Sequence, residues 1–389
     1  MNPEHLGDSR MVLFDLVSPS MRVGVASLDT GEWNVLLEGA FPKFSPTGHL
    51  VVWRPSSLWT VPFDAAAGEV AGEPAPLLAD ISYPGLYGTY DVSDDGTLVV
   101  APFRGNRLLW VDRAGRELGS FERVGFAGHP GISPDGSRVA LRELENATWV
   151  EDLQRGTRHR VVAEGTTGVP VWAPDGERIA YTIGGETGIY LQRSDGTGER
   201  ELLLEHDGFP EPSAWSPDGR WLAFHESSLS GKKSDVWVLS MAGTPAVRTF
   251  VGTGANEQAA AFSPNGRFIA YVSDESGRNE IYVQAFPDSG RRWTLSVGGG
   301  AGPIWSHDGR ELFYARGTEI WAVPVETERE FTADVPTQLF DGPYGLEGGH
   351  PHYDVSPDGR FLVNRLSFSA PTFTVIVDWP EILKHPATE

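Results

Sequence analysis

Trp215-Ser216-Pro217-Asp218-Gly219-Arg220-Trp221-Leu222-Ala223-Phe224 sets a short polar stretch between two apolar runs, and the residue types say which turn it makes. Proline presets φ for the first central position of a type I turn, aspartate hydrogen-bonds nearby backbone, and glycine supplies the positive φ that re-enters the next strand as a bulge. The pattern recurs on both sides of this copy, at Ser45-Pro46-Thr47-Gly48, Ser93-Asp94-Asp95-Gly96, Ser133-Pro134-Asp135-Gly136, Ala173-Pro174-Asp175-Gly176, Ser263-Pro264-Asn265-Gly266, Ser306-His307-Asp308-Gly309 and Ser356-Pro357-Asp358-Gly359. Only the glycine never varies. Successive glycines lie 48, 40, 40, 43, 47, 43 and 50 residues apart, the spacing of one four-stranded blade per repeat.

The flanks follow strand rules. An apolar residue precedes each turn (Phe44, Val92, Ile132, Trp172, Trp215, Phe262, Trp305, Val355), and a short apolar strand such as Ile179-Ala180-Tyr181 or Leu312-Phe313-Tyr314 follows it. A third strand then carries an aromatic residue, at Trp59, Trp110, Trp149, Tyr190, Trp237, Tyr282, Trp321 and Phe373. A fourth, such as Leu202-Leu203-Leu204 or Trp293-Thr294-Leu295, ends the unit. Runs this short, separated by Gly, Pro, Asp and Ser, leave no room for a helix of ordinary length, so the chain is expected to be all-β.

The repeats run from about residue 41 to about residue 379 without a linker, which favours a single propeller over residues 1–389 rather than several domains. Met11 to Phe14, Arg22 to Ala26 and Trp33 to Leu37 read as the last three strands of a blade without its own turn, and residues 350 to 379 as the first three strands of another. Residues 1–40 are therefore expected to be a partial blade that closes the ring with the other terminus. Eight blades are the preferred count, with seven blades plus extra strands as the alternative.

Charge and composition narrow the partners. With 53 acids against 31 bases, a net charge of −22 and no basic run, the chain lacks the basic face that nucleic acid requires. No apolar stretch reaches the length of a membrane span, and residues 1 to 30 lack the basic start and long apolar core of a signal peptide. The absence of cysteine removes disulfides and thiolate metal sites. A monomer without cofactor is expected.

The Ser-Pro-Asp-Gly turn, the following Ile269-Ala270-Tyr271 type of strand and the later Ile-Tyr or Val-Trp pair resemble the WD-like propeller repeats of TolB and related bacterial proteins. A narrower resemblance covers Ser45 to Leu78, with Gly48-His49-Leu50-Val51-Val52, Val61-Pro62-Phe63-Asp64 and Gly72-Glu73-Pro74, together with Ile320-Trp321-Ala322-Val323-Pro324, Phe331-Thr332-Ala333 and Leu339-Phe340. These segments look like the C-terminal sensory propeller of bacterial receptor-type serine/threonine kinases. The resemblance implies a periplasmic or otherwise extracytoplasmic sensor module, either a stand-alone relative or the propeller part of a longer protein. No Gly-rich phosphate loop, His-Arg-Asp loop or Asp-Phe-Gly is present, and no Gly-x-Ser-x-Gly elbow, so neither kinase nor α/β-hydrolase chemistry is expected.

Repeated positions serve the fold, so a site is sought where the copies differ. The turn carboxylates Asp135, Asp175, Asp218, Asp308 and Asp358 recur because the turn uses them. The opposite face carries the loops that enter each innermost strand, and these hold Tyr87, His129, Glu211, Glu257, Gln258, His350 and His352. His350-Pro351-His352, with His129 in the matching loop of an earlier blade, has the imidazole count for a transition metal, although two-His spacing is a common accident and polar rim residues are the preferred reading. Arg54, Arg142 and Arg365 share a register six residues after the turn glycine, as does His225, and a rim of guanidinium groups would suit a carboxylate or phosphate. The expected function is a non-catalytic module that binds a protein, peptide or glycan on the loop face. The alternative is a metal-assisted polysaccharide lyase or similar enzyme on a propeller scaffold.

Overall fold

A serine stands first in seven of the eight turns, with Ala173 in the remaining one. In the copy that opens the sequence analysis, Ser216 Oγ accepts the N–H of Trp221 at 2.9 Å and donates to Asp218 Oδ1 at 2.6 Å, while Gly219 N–H donates to Ser216 O at 2.9 Å with φ +69° at the glycine. The Ser216 hydroxyl, against some loss of hydration and with help from Arg220 N–H, holds the Asp218 carboxyl below its usual range. The same hydroxyl-to-carboxylate bond closes the turns at Ser93, Ser133, Ser306 and Ser356.

The computed structural model describes residues 4–6, 10–16, 21–54, 57–79, 81, 90–101, 107–120, 128–143, 147–162, 169–183, 186–206, 208–226, 233–243, 246–288, 290–344, 351–365, 373–377 and 379. Its strands are antiparallel throughout, as the short apolar runs predict. They fall into two compact units, residues 1–105 with 368–389 and residues 106–367.

The second unit holds six of the eight turns, one in each of six sheets. From the innermost strand outward, sheet 1 is Tyr353–Val355, Phe361–Arg365, Arg107–Val111 and Glu117–Ser120. Sheet 2 is Gly128–Ile132, Arg138–Glu143, Ala147–Asp152 and Thr157–Val162; sheet 3 is Val171–Trp172, Arg178–Thr182, Gly188–Arg193 and Glu201–Glu205. Sheet 4 is Pro210–Trp215, Trp221–Glu226, Val236–Ser240 and Ala246–Val251; sheet 5 is Glu257–Phe262, Phe268–Ser273, Glu280–Ala285 and Arg292–Thr294. Sheet 6 is Ala301–Trp305, Glu311–Arg316 and Glu319–Glu326, flanked by Thr332–Ala333 and Thr337–Asp341.

The inner strands meet one another around a ring. Trp172 Nε1 of sheet 3 donates to Gly131 O of sheet 2 at 2.8 Å, and Trp305 Nε1 of sheet 6 to Ala261 O of sheet 5 at 3.0 Å. Tyr353 Oη of sheet 1 donates to Gly302 O of sheet 6 at 3.0 Å, which joins first sheet to last, and Ile132 N–H of sheet 2 donates to Asp354 Oδ2 of sheet 1 at 2.7 Å. Between these pins lie apolar layers such as Val272, Ile281, Val283, Leu312 and Val323, all with no exposed surface. Each such side chain contributes about 1.5–3 kcal/mol by leaving water.

The first unit holds the Ser45 and Ser93 turns in three sheets. One is Glu4–His5, Met11–Leu16, Arg22–Ser27 and Trp33–Glu38; the second is Ala40–Ser45, His49–Arg54 and Ser57–Asp64, flanked by Glu69–Val70 and Ala75–Ala79; the third is Tyr90–Val92, Leu98–Val100 and Thr374–Ile376. The second sheet of this unit and sheet 6 share one design, an eight-residue third strand that pairs with two successive outer strands.

Three expectations about closure change. The evenly spaced turns suggested eight blades in one ring, whereas the ring of the second unit closes with six sheets. Among the described residues, those of 1–40 do not share a blade with the other terminus; Glu4–His5 completes a four-stranded sheet with Met11–Leu16, Arg22–Ser27 and Trp33–Glu38. The third strands of two repeats are also exchanged. The Ser356 turn takes Arg107–Val111 with its Trp110, in the register Trp110↔Leu362, and the Ser93 turn takes Thr374–Ile376, next to Phe373. Any apolar strand of matching alternation can fill a third position, so the local pattern does not say which one does.

Gly219→Val should cost about 1–3 kcal/mol in equilibrium unfolding, since nothing lies within 4 Å of a Cβ there and the penalty is backbone strain alone. Gly136→Val should cost more, because its φ is +73° and a Cβ would also sit 3.0 Å from Pro357 Cδ in the neighbouring turn. Equal losses would remove the contact between successive turns from the account.

Candidate functional site

The six inner strands enclose a channel of about 500 Å³ within the second unit. One residue per sheet, two positions before the turn serine or its equivalent, faces it: Gly131, Val171, Ala214, Ala261, Ile304 and Asp354. Each is half-buried, while the next residue along each strand points into the packing between sheets, as strand alternation requires. Pro130, Pro170, Pro212, Pro303 and Pro351 line the channel toward the loop face, and Pro134, Pro174, Pro217 and Pro264 line it toward the turns. The turn prolines therefore do more than preset φ. They form part of the channel wall.

Among the described residues that line the channel, Asp354 is the one carboxylate, and no lysine or arginine lines it. Burial pushes its carboxyl up to about 7, against the opposing effect of the N–H groups of Ile132 at 2.7 Å and Val355 at 2.8 Å. Its neighbour in the wall, His307, places Nε2 3.2 Å from Val355 O. Proline rings and small apolar side chains surround this one carboxyl.

The residues named from sequence fare differently. Glu257 has no exposed surface; it accepts from Thr253 Oγ1 at 2.5 Å and Ser273 Oγ at 3.2 Å, and so holds a loop to a strand instead of offering a carboxylate to a ligand. Glu211 and Gln258 are half-buried on the inner strands of sheets 4 and 5, and His352 is half-buried just before the inner strand of sheet 1. His225 is buried with Nδ1 3.1 Å from Ser213 Oγ. Tyr87, His350 and the side chain of His129 lie outside the described residues, so the three-imidazole arrangement falls there too. Among the described residues no three His, Asp or Glu side chains converge on a metal position.

The arginine rim is not assembled. Arg54 belongs to the first unit, where its Nε donates to Glu38 O at 3.1 Å and its guanidinium lies 4.7 Å from the Trp59 ring. Arg365 pairs with Glu117 at 3.2 Å. Arg142 and Arg365 share a count from the turn glycine but not a sheet face. The Ser133 turn spans five residues to its closing partner Arg138, and the Ser356 turn four to Arg360, so the two arginines differ by one step of alternation. Sequence reasoning missed Asp354, although aligning the turn copies at the second position before the serine would have set it against Gly131, Val171, Ala214, Ala261 and Ile304.

A ring of four-stranded sheets around a channel defines a β-propeller. The family model of the TolB beta propeller domain matches residues 169–363, half of the chain, and the chain belongs to that family. It is 28% identical over 254 residues to an uncharacterized protein of Agrobacterium fabrum, a match that covers 60% of this chain and 85% of that one. It is 37% identical over 103 residues to the Tol-Pal system protein TolB of Gluconobacter oxydans, a stretch of 24% of this chain and 22% of that protein. A solved TolB-like structure from Agrobacterium tumefaciens superposes with a TM-score of 0.54 at 19% identity, over 67% of this chain and 98% of that one, which speaks to the fold alone. No helix among the described residues is long and apolar enough to cross a membrane.

Asp354 binds its proton more tightly in the folded chain than in the unfolded chain, whose carboxyl titrates near the ordinary 3.8. Stability should therefore fall as pH rises from about 4 to about 7 by this group's contribution. Asp354→Asn should remove that part of the slope, visible as a flatter plot of unfolding free energy against pH. Glu257→Ala should lose about 1–3 kcal/mol in denaturant unfolding, because it leaves Thr253 and Ser273 without their buried acceptor. A loss under about 0.5 kcal/mol would return Glu257 to the exposed rim expected from sequence.

Proposed function

We propose that this chain is a non-catalytic binding module, and that it takes an extended polypeptide segment of a partner protein into the loop-face mouth of its channel. The observation that carries the reading is the channel wall. Five apolar or glycine positions and one carboxyl face its axis, and proline rings brace it along its length. Such a surface is largely preformed, so binding spends little free energy on ordering it. An extended chain presents alternate side chains to a narrow apolar tube, and the Asp354 carboxyl offers it one polar anchor. The net charge of −22 favours a protein partner over nucleic acid.

The two segments that resemble kinase-linked propellers support a finer version, in which the module senses its ligand outside the cytoplasm as part of a receptor. Their shared sheet design favours common ancestry of those two repeats. In this reading ligand occupancy is the signal, and the chain carries no chemistry of its own.

Ala261→Trp tests the channel directly. Peptides selected from a random display library on the wild-type chain should lose at least about tenfold in affinity for the plugged variant by calorimetry, with its folded circular dichroism retained. Selected peptides that bind the plugged variant as tightly as wild type would place the binding surface outside the channel.

A further inference from the structure

The third-strand aromatic of the ring sheets carries a guanidinium cover in five cases out of six. Arg360 lies 4.7 Å from the Trp110 ring in sheet 1, Arg158 3.9 Å from Trp149 in sheet 2, Arg200 4.7 Å from Tyr190 in sheet 3, Arg292 4.8 Å from Tyr282 in sheet 5, and Arg316 3.9 Å from Trp321 in sheet 6. Sheet 4 is the exception. Among the described residues no arginine covers Trp237, which is half-buried at the loop-face end of its strand. Arg248 of the adjacent outer strand covers Trp221 and Phe286 instead.

Sheet 6 shows what sheet 4 lacks. There Tyr314 stacks beside Trp321, and one step further along the same face Arg316 pairs with Glu319 at 2.9 Å. Trp321 Nε1 donates to the same carboxylate at 3.0 Å. In sheet 4 Phe224 stacks beside Trp237 at 6.5 Å in the same cross-strand register, and Asp235 stands two residues before Trp237, as Glu319 stands before Trp321. The residue two after Phe224, at the position of Arg316, is Glu226. The aromatic face and the acceptor remain, and a second carboxylate replaces the cation.

Two carboxylates on one sheet face repel each other and destabilise the sheet unless something lies between them. Loss of hydration, and then the charge of Glu226, raise the Asp235 carboxyl above its usual range. Among the described residues the Asp235 carboxylate has no hydrogen bond or ion pair, and the Glu226 carboxylate pairs with His206 Nε2 at 3.4 Å. The His206 ring stands at a steep angle to both aromatic rings, its centre 5.8 Å from that of Phe224 and 6.3 Å from that of Trp237.

We propose that Trp237, Glu226 and Asp235 form a binding site for one guanidinium group, the arginine side chain of a partner protein, seated over the indole where Arg316 sits over Trp321 in sheet 6. Planar guanidinium suits the place for the reason it suits sheet 6. It stacks on an aromatic face and offers several in-plane donors to carboxylates at its edge. The site lies on the loop face and does not use the channel wall, so it stands or falls apart from the channel reading.

The test uses the full chain labelled with 5-fluorotryptophan, in which Trp237→Phe identifies one fluorine resonance among those of the 13 tryptophans. N-acetyl-L-argininamide should shift that resonance saturably with a dissociation constant of about 1–10 mM, as befits a single exposed cation site. The uncharged isostere N-acetyl-L-citrullinamide should not. Asp235→Asn combined with Glu226→Gln should weaken the arginine probe by at least about tenfold. His206→Arg, which supplies a tethered guanidinium beside the indole, should block it, while Ala261→Trp should leave it unchanged. No saturable shift in the wild type, an equal response to the citrulline probe, or full binding by either the carboxylate variant or His206→Arg would overturn the proposal.

Discussion

Six of the eight turns depend on one serine hydroxyl that accepts a backbone N–H from the returning chain and donates to the aspartate or asparagine two residues on. This double use explains why the turn tolerates Asp94 or His307 in place of proline but not the loss of glycine, whose positive φ brings the returning strand into reach. It also sets register. Where five residues separate the serine from its backbone partner one set of side chains faces the channel side of the sheet, and where four do, the set shifts by one. The channel wall, the aromatic pairs and the faces on which Arg142 and Arg365 emerge all follow from that count.

Ring closure rests on a different contact. Phe361–Arg365 pairs with Arg107–Val111 through five successive residues, and only then does Tyr353–Val355 have a sheet to belong to. Asp354 comes with that strand. It enters the channel because closure carries the last turn round to the first sheet, and its carboxyl is then buried against Ile132 of the neighbouring sheet. The one channel-facing charge among the described residues of the ring thus depends on its longest-range pairing, so closure and the electrostatics of the channel are physically coupled.

The repeats also provide an internal standard. Six sheets of one plan make a departure in one of them informative, since packing alone would favour the common solution. At Asp354 the departure puts a carboxyl where five sheets have glycine or an apolar side chain. At Glu226 it puts a carboxylate where sheet 6 uses Arg316 to cover its tryptophan. Glu257 looked like such a departure and is not one. It is buried and satisfied, which only its neighbours Thr253 and Ser273 reveal.

From sequence alone the turns, the all-β class, the alternation of strands and the apolar positions before each turn were legible, because turn chemistry and period-two burial act over a few residues. The family resemblance was legible for the same reason, since it lives in that local pattern. Which strand completes which sheet was not. Trp110 and Phe373 obey the same rules, and only the three-dimensional pairing gives Trp110 to the Ser356 turn and sets Phe373 next to the strand that joins the Ser93 turn. The candidate site was less legible still, since a channel wall gathers one residue from each of six sheets and the pairing of Glu226 with Asp235 depends on a cross-strand register. Local chemistry chose the elements, and long-range pairing, whose partners the chain does not mark, chose the neighbours.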